Sequence, residues 1–316
     1  MVEQGGNDQP PVATHLGPPA YRLATPTGVG AILKKYGFRF KKSLGQNFLV
    51  DENIRRKIVA AAELSSRDVV WEVGPGIGTL TQALADAAGT VFAVELDERL
   101  LEILAETLAG RSNVRVIHGD FLKVDLGKLY ENSLFEMGAG GGLKIVANLP
   151  YYVTTPVIAR ILEARWDWQL MVVMVQAEVA DRMLALPGGK DYGTLSVLVQ
   201  YYAEAGAVAR APRTVFMPQP EVDSRVVRLR RRAAPRVVPA NPGFYFALVR
   251  AAFGQRRKTL RNAVKSVAVL DPQELEKAFL QASIDPMRRG ETLSLEEFAA
   301  LSDAILALRK GASPPP

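Results

Sequence analysis

The chain has 316 residues, of which 48% are hydrophobic and 23% charged, which allows a sizeable buried core and excludes an intrinsically disordered chain. It contains no cysteine and two histidines, which excludes disulfides, thiolate metal sites and a His-rich metal site, so we expect no metal. The net charge is +6, and no apolar run approaches the roughly 18 residues of a membrane-spanning helix. Because no secretory leader is recognisable, we expect a cytoplasmic protein without a membrane anchor, and nothing in the sequence demands more than a monomer.

Shifts in composition indicate how the chain is organised. Residues 1–30 are rich in Gly, Pro, Gln and Thr and have no hydrophobic period, so they are predicted to be a disordered tail. After the proline-flanked segment 235–239 the pattern becomes purely helical. We therefore predict a larger domain over residues 31–235 and a small helical domain over residues 236–316.

Within the larger domain, short apolar runs alternate with helical patterns. A helix is predicted to open at Gly45–Leu49 and to reach Leu64. Strands are predicted at Val69–Val73, Thr90–Val94, Val114–Ile117, Lys144–Ala147, Leu170–Gln176, Ala203–Ala209 and Ser224–Leu229. Further helices are predicted at Thr79–Ala88, Arg99–Leu108, Phe121–Leu134, Glu178–Leu186, Pro242–Val267, Pro272–Ala282 and Leu295–Leu308, and an extended loop at Thr214–Glu221. The alternation is typical of an α/β fold whose parallel sheet is covered by helices on both faces.

Polar residues stand at the ends of the first four predicted strands. They are Glu72, Glu95, Asp120 and Asn148, at successive spacings of 23, 25 and 28 residues, about one strand, one helix and two loops each. In parallel sheets, ligands bind beyond the carboxyl ends of the strands. We therefore expect these four side chains to converge on one site.

A glycine-rich loop follows the first of these strands, with glycines at positions 74, 76 and 78. Gly74 and Gly76 let the backbone turn tightly and approach a ligand, although a structural turn is the alternative. The dinucleotide fingerprint requires a further glycine where this chain has Thr79. Together with Glu95, which could accept hydrogen bonds from ribose hydroxyls, the loop favours a nucleoside cofactor without a pyrophosphate. Asp120 could accept from an adenine amino group or serve as a helix N-cap.

The segment Asn148-Leu149-Pro150-Tyr151 is suited to presenting a nucleobase amine. The Asn148 side-chain oxygen and the following backbone carbonyl can accept hydrogen bonds from the amine and stabilise the positive charge that it gains on attack. Tyr151 offers a stacking face for an unstacked base, and Phe216 is a second candidate for that role or, alternatively, a core residue. A polar turn without function is the alternative interpretation of the whole segment.

The positive charge is concentrated in one stretch. Residues 225–265 hold 12 Lys and Arg and no acid, which leaves 27 basic and 33 acidic residues, a balance of −6, in the rest of the chain. Such a field is typical of a phosphate-backbone binder, although a solvated basic face is the alternative. The residues predicted to bind RNA are Lys41, Lys42, Arg256, Arg257, Lys258 and Arg261.

Five motifs in this order resemble the ribosomal RNA small-subunit adenine N6-dimethyltransferases. They are Gly45–Leu49, Glu72–Gly78, Asn148–Tyr151, Phe216–Ser224 and Phe253–Asn262. The resemblance implies a Rossmann-like class I methyltransferase sheet with a small C-terminal helical domain, and S-adenosylmethionine as the methyl donor. It further implies dimethylation of two adjacent adenosines near the 3′ end of 16S (small-subunit) ribosomal RNA, with a partly assembled subunit as the expected acceptor and free RNA as the alternative. By the same resemblance the donor contacts Asn47, Leu49, Gly74, Glu95, Asp120 and Asn148, while Asn148, Leu149 and Tyr151 present the amine.

Three other functions stay open. Macrolide-resistance methyltransferases of large-subunit RNA share the glycine loop and the Asn-aromatic turn, but segment 256–262 resembles the small-subunit group instead. A non-catalytic RNA-binding assembly factor is a second alternative, against which the intact Asn148–Tyr151 segment argues. A DNA adenine methyltransferase is the third, and a methyl-acceptor assay separates it from the others.

Overall fold

The computed structural model describes residues 22–41, 45–164 and 166–311, with the side chains of residues 310 and 311 left out. The strands are β1 (Phe48–Leu49), β2 (Val69–Val73), β3 (Thr90–Glu95), β4 (Val114–His118), β5 (Leu143–Asn148), β6 (Trp168–Gln176), β7 (Ala203–Ala211), β8 (Phe216–Met217) and β9 (Ser224–Arg231). The helices are α1 (Pro26–Lys35), α2 (Glu52–Ala61), α3 (Thr79–Ala87), α4 (Glu98–Thr107), α5 (Leu126–Glu136), α6 (Thr154–Leu162), α7 (Ala177–Leu184), α8 (Thr194–Tyr202), α9 (Pro242–Gly254), α10 (Leu260–Ala268), α11 (Pro272–Gln281) and α12 (Leu295–Gly311).

The main sheet has seven strands in the order β4-β3-β2-β5-β6-β9-β7. Strands β2 to β6 pair in parallel, as the sequence predicts. Strand β9 departs from the parallel arrangement, since it lies antiparallel between β6 and β7. The reason is the short connection over residues 212–223, which carries no α-helix, whereas a parallel return usually requires a helical crossover.

Strands β2 and β5 are buried along nearly their whole length, because helices cover both faces of the sheet. Alternate residues of β2 enter two different hydrophobic clusters: Trp71 belongs to one and Val70 to the other. The sequences of these two strands are therefore almost continuously apolar, and their polar residues lie at the carboxyl ends.

The structure differs from the predicted tail over residues 22–30. Helix α1 begins at Pro26, and the Thr25 side chain accepts a hydrogen bond from the Gly28 N–H. Val29 and Ile32 are fully buried in a cluster that includes Leu100. The apolar spacing of this short helix is hidden in the sequence by its Gly and Pro neighbours. Residues 1–21 lie outside the described residues.

The predicted helix over 45–64 is wrong at its start. Phe48 and Leu49 form β1, which pairs antiparallel with β8, and helix α2 begins only after Asp51, whose side chain accepts from the Ile54 N–H. The same pairing makes Phe216–Met217 a strand, although the sequence predicts a loop there. A pairing of only two residues between distant segments leaves no hydrophobic pattern long enough to be recognised in the sequence.

Two predicted helices are corrected by local turns, and two further helices were not predicted. Helix α5 begins at Leu126 rather than at Phe121, because Asp125 caps it. The predicted helix over 242–267 is two helices, α9 and α10, separated by a turn at residues 255–259. Helices α6 and α8 were not among the predicted elements.

The division of the chain at residue 235 falls between β9 and α9 and remains a prediction. One hydrophobic cluster contains buried residues from both sides of it, and the rings of Tyr201 and Phe246 lie 4.9 Å apart. The Tyr192 hydroxyl also donates to the Leu293 carbonyl at 3.0 Å. Among the described helices, none is long and apolar enough to cross a membrane.

Candidate active site

An open cleft lies beyond the carboxyl ends of β2, β3, β4 and β5, and its empty space together with adjoining solvent is about 960 Å³. Five segments line it, namely 45–49, 72–80, 94–96, 119–122 and 148–153, with a contribution from α4 and α6. The structure thus brings Glu72, Glu95, Asp120 and Asn148 together at one cleft. It also places there the other residues predicted to contact the cofactor or the amine, except Phe216: Asn47, Leu49, Gly74, Gly76, Leu149, Pro150 and Tyr151.

The glycine loop packs tightly against two of these segments. Gly74 and Gly76 have φ of +68° and +61°, which L side chains rarely adopt. A Cβ at position 76 would lie 2.9 Å from Phe48 Cε1, and one at position 74 would lie 3.2 Å from Pro150 Cγ. The loop therefore needs glycine both for its conformation and for the close approach of its neighbours.

Glu95 is buried at the end of β3, with a relative exposure of 6%. Its carboxylate accepts hydrogen bonds from the Gly76 N–H at 3.1 Å and the Asp97 N–H at 2.8 Å. Burial nevertheless raises the pKa of Glu95. Each oxygen retains a lone pair, so the side chain can still accept from a hydroxyl in the cleft.

Glu72 is the most deeply buried acid of the cleft. Burial raises its pKa to about 8, an effect that the Thr81 hydroxyl opposes and the negative charge of Glu95 increases. Its Oε2 atom has no hydrogen-bond partner among the described residues. The sequence predicted that Glu72 would lie at the shared site, but it gave no indication that this carboxyl would be so deeply buried.

Of the two roles considered for Asp120 from its sequence context, the helix N-cap is wrong and acceptance from an adenine amino group stays a prediction. Asp120 lines the cleft, and its Oδ1 accepts from the Leu122 N–H at 2.9 Å. That bond stabilises the turn before α5, whereas the N-cap of α5 itself is Asp125. The other oxygen, Oδ2, makes only a long ion-pair contact with the Lys123 ammonium at 3.8 Å, so it can still accept from a ligand.

The Asn148–Tyr151 turn is held by its surroundings. The Asn148 Nδ2 donates to the Asn47 carbonyl at 3.1 Å, and the Leu149 N–H donates to the Met174 carbonyl of β6 at 3.1 Å. The Thr154 hydroxyl contacts the carbonyls of Pro150 at 3.0 Å and Tyr151 at 3.4 Å. The bond from Nδ2 leaves the Asn148 Oδ1 available as an acceptor.

Two neighbouring tyrosines lie at this turn. The Tyr151 hydroxyl lies 2.8 Å from Ser224 Oγ, and burial raises its pKa, so the phenol is neutral at physiological pH. Tyr152 is 48% exposed and also lines the cleft. Neither Ser224 nor Tyr152 was singled out from the sequence: Ser224 closes a quoted motif, and only an aromatic side chain next to Tyr151 could have pointed to Tyr152.

Phe216 does not reach the cleft. It is 2% exposed and lies in a hydrophobic cluster with Leu49, its partner in the β1–β8 pair. Of the two interpretations left open by the sequence, the structure shows the core residue. The stacking role predicted for Phe216 is wrong for this arrangement, because strand pairing turns the ring into the core.

The residues predicted to bind RNA divide into two groups. The Arg256 guanidinium donates to the carbonyls of Lys190 at 2.9 Å and Tyr192 at 2.7 Å, and Arg261 pairs with Glu276 at 3.0 Å. The side chains of Arg257, Lys258 and Lys41 are exposed and make no hydrogen bond or ion pair with any other described residue. Lys42 lies outside the described residues. Arg257 and Lys258 stand in the turn between α9 and α10.

Comparison with known proteins gives a consistent result. The family model "Ribosomal RNA adenine dimethylase" matches residues 37–305. A relative from Anoxybacillus flavithermus named "Ribosomal RNA small subunit methyltransferase A" is 51% identical over 286 residues, which are 90% of this chain and 96% of the relative.

Two solved structures are similar over most of the chain. A dimethyladenosine transferase from Plasmodium falciparum has a TM-score of 0.65 and 26% identity, covering 80% of this chain and 95% of its own. The 23S rRNA methyltransferase ErmE has a TM-score of 0.61 and 28% identity, covering 82% of this chain and 99% of its own.

Proposed function

The chain belongs to the ribosomal RNA adenine dimethylase family, and from this premise we propose that it dimethylates the N6 amines of two adjacent adenosines near the 3′ end of small-subunit ribosomal RNA. The family, the class I methyltransferase fold and the enzyme class inferred from the sequence motifs are confirmed. The observation that carries the proposal is the Asn148 carboxamide, held through its nitrogen so that its oxygen is available in the cleft.

The cleft residues fit S-adenosylmethionine as the methyl donor. Its ribose hydroxyls and amino groups are donors, and the cleft offers carboxylate acceptors in Glu95 and Asp120. Gly74 and Gly76 allow close backbone approach to such a ligand, beside Asn47 and Leu49. When bound, S-adenosylmethionine supplies an electrophilic methyl group.

The turn offers two acceptors to the adenine amine. The carbonyls of Pro150 and Tyr151 accept from the Thr154 hydroxyl, whereas that of Leu149 accepts no hydrogen bond from any described residue. The Asn148 Oδ1 and the Leu149 carbonyl are therefore the pair that receives the amine. Fixed dipoles of this kind stabilise the positive charge developing on the nitrogen, and holding the amine in line supplies much of the remaining rate.

Tyr151 provides the stacking face for the target base, which must leave its helix to enter the cleft. Neither Tyr151, whose pKa is raised, nor the Asn148 amide takes up a proton at neutral pH. The amine proton therefore leaves to solvent after the carbon–nitrogen bond has formed.

The RNA backbone binds the unpaired cations of the α9–α10 turn. Arg257 and Lys258 are exposed there, and Arg250 and Lys265 on the adjoining helices are likewise exposed without a side-chain partner among the described residues. Lys41 adds a further cation close in sequence to the cleft segment 45–49. We propose that the protein acts as a monomer and that its acceptor is a partly assembled small subunit.

Transfer of tritiated methyl groups tests the proposed function. Under-methylated small subunits, large-subunit RNA and duplex DNA serve as separate acceptors, and the labelled nucleosides are identified after digestion. We expect N6,N6-dimethyladenosine in small-subunit RNA alone, and a loss of at least about a hundredfold in Asn148→Ala, as for removal of an oxyanion-hole donor. Preferred labelling of large-subunit RNA or DNA would contradict the proposal, as would RNA binding without methyl transfer.

A further inference from the structure

The bond between Tyr151 and Ser224 links the proposed stacking residue to the buried start of β9. The two oxygens are 2.8 Å apart, Tyr151 lines the cleft, and Ser224 has no exposed surface. A tyrosine ring is positioned by two torsion angles, so an anchor at its far end restricts both the tilt and the reach of the ring.

The position of Ser224 is determined by the sheet rather than by a loop. It lies opposite Gln176 of β6 and Ala211 of β7, so it has strand partners on both sides. Its neighbour Asp223 is also held, since the Asp223 carbonyl accepts from the Ala177 N–H at 2.9 Å and its carboxylate accepts from the Arg213 N–H at 2.9 Å. The backbone that carries the serine hydroxyl is therefore held in place on both sides.

Strand β6 connects this anchor to the amine-binding turn. The Leu149 N–H donates to the Met174 carbonyl, and β6 pairs with β9 from Leu170 to Gln176. The turn that holds the amine and the serine that holds the ring are thus attached to the same strand. This arrangement sets the distance between the acceptors and the stacking face.

We propose that Ser224 is a positioning residue for methyl transfer, which holds the Tyr151 ring in the orientation that stacks on the target adenine. The inference rests on the proposed function. It also gives the Phe216–Ser224 motif a different contribution from the one expected: Phe216 packs in the core, and the last residue of the motif reaches the cleft through Tyr151.

Two single variants and their combination test the inference. Ser224→Ala and Tyr151→Phe remove the same hydrogen bond from opposite sides and retain the aromatic ring. We expect each to lower kcat on under-methylated small subunits by about fivefold to tenfold, the rate equivalent of one lost hydrogen bond. The dissociation constant for S-adenosylmethionine and the KM for the subunit stay unchanged. The double variant is no slower than the slower single variant, because the shared bond is lost only once.

Ser133→Ala is the matched control. Ser133 is also fully buried and bonded to an aromatic side chain, since the Trp71 indole N–H donates to its Oγ at 2.8 Å, but neither residue lines the cleft. We expect this variant to lose thermal stability without a change in kcat measured below its Tm.

Three results would overturn the inference: a normal kcat in Ser224→Ala, an equal fall of kcat in Ser133→Ala, or weaker S-adenosylmethionine binding in Ser224→Ala. The proposed function is judged separately, by the wild-type protein in the same assay. A wild type that methylates small subunits beside a fully active Ser224→Ala refutes the role of Ser224 alone. If the wild type does not methylate small subunits, the proposed function is refuted, and the inference that rests on it fails as well.

Discussion

Strand β9 and the α9–α10 hairpin, which comprises the two helices and the turn between them (residues 242–268), are both rich in arginine and lysine, but their cations have different surroundings. On β9, Arg228 and Arg230 both contact the Glu63 carboxylate, at 2.9 and 2.7 Å, and Arg225 pairs with Asp181. On the hairpin, the side chains of Arg257 and Lys258 have no such partner in the described part of the chain. Two regions with similar sequence composition therefore differ in the charge that they present to solvent.

The difference has a physical cause. Strand β9 lies between β6 and β7, so its outward arginines face helices and loops that carry acids from distant parts of the sequence. In the turn between α9 and α10, Arg256 lies 3.8 Å from the Glu291 carboxylate, whereas Arg257 and Lys258 have no acidic partner in the described part of the chain. Surface ion pairs contribute little to stability, but each cancels a charge that would otherwise attract phosphate. Only cations without an acidic partner are therefore expected to attract the phosphates of RNA.

The largest expected effect is on RNA binding by the hairpin. Replacing Arg257 and Lys258 together by Gln should weaken binding to small-subunit RNA roughly tenfold or more and reduce the slope of log K against log salt by about 2, because two phosphate contacts are lost. Filter binding at several salt concentrations measures both quantities. S-adenosylmethionine affinity should stay constant, and an unchanged salt slope would contradict the assignment.

Arg256 should behave differently from its neighbour Arg257, although the two are adjacent in sequence. Because its guanidinium binds the Lys190 and Tyr192 carbonyls, Arg256→Gln should lower the free energy of unfolding by about 1 kcal/mol, a value reduced for partial exposure. Thermal unfolding measures this loss. The matched control is Arg257→Gln, which should leave Tm unchanged. Arg256→Gln should weaken RNA binding less than Arg257→Gln does. If Arg256→Gln instead weakened RNA binding more, Arg256 would be shown to contact RNA.

The smallest effect concerns β9 and its pH dependence. Hydrogen bonds and charge from Arg230, with the charge of Arg228, lower the pKa of Glu63. A lowered carboxyl pKa adds stability above the unfolded-state pKa, and this stability is lost as pH falls through the folded-state pKa. Replacing Arg228 and Arg230 by Gln should therefore flatten the acid side of the stability profile, by less than about 1 kcal/mol for these half-exposed groups.

The control for this experiment is the Arg257 and Lys258 pair of substitutions, which should leave the acid side of the profile as in the wild type. Denaturant unfolding between pH 3 and pH 7 gives the comparison. Binding of small-subunit RNA by the β9 variant should stay within about twofold of wild type, since its arginines are already paired. A large loss of RNA affinity would show that β9 contributes to the RNA surface.

The strands and their polar ends were predictable because buried parallel strands are apolar along their length. Strand β2 was predicted at its observed residues, and the spacing from Glu72 to Asn148 indicated correctly that these side chains meet at one edge. Local sequence carries this information, since each strand, helix and turn is specified by near neighbours.

The unpredicted features arise from contacts between distant segments. The β1–β8 pair that buries Phe216, the bond from Ser224 to Tyr151 and the Glu63 contacts of β9 all join residues far apart in the chain. Hydrophobic periodicity and motif spacing do not indicate which distant residue a side chain contacts after folding.

By itself, the amino-acid sequence determined the alternation of strands and helices, the glycine loop and the family of this protein, because these depend on local residue types and their order. The tertiary structure alone decided which cations of the described residues lack an acidic partner, that Phe216 is a core residue, and which hydroxyl holds the Tyr151 ring. Ion pairs and side-chain hydrogen bonds act over a few ångströms, so they depend on how distant segments pack together.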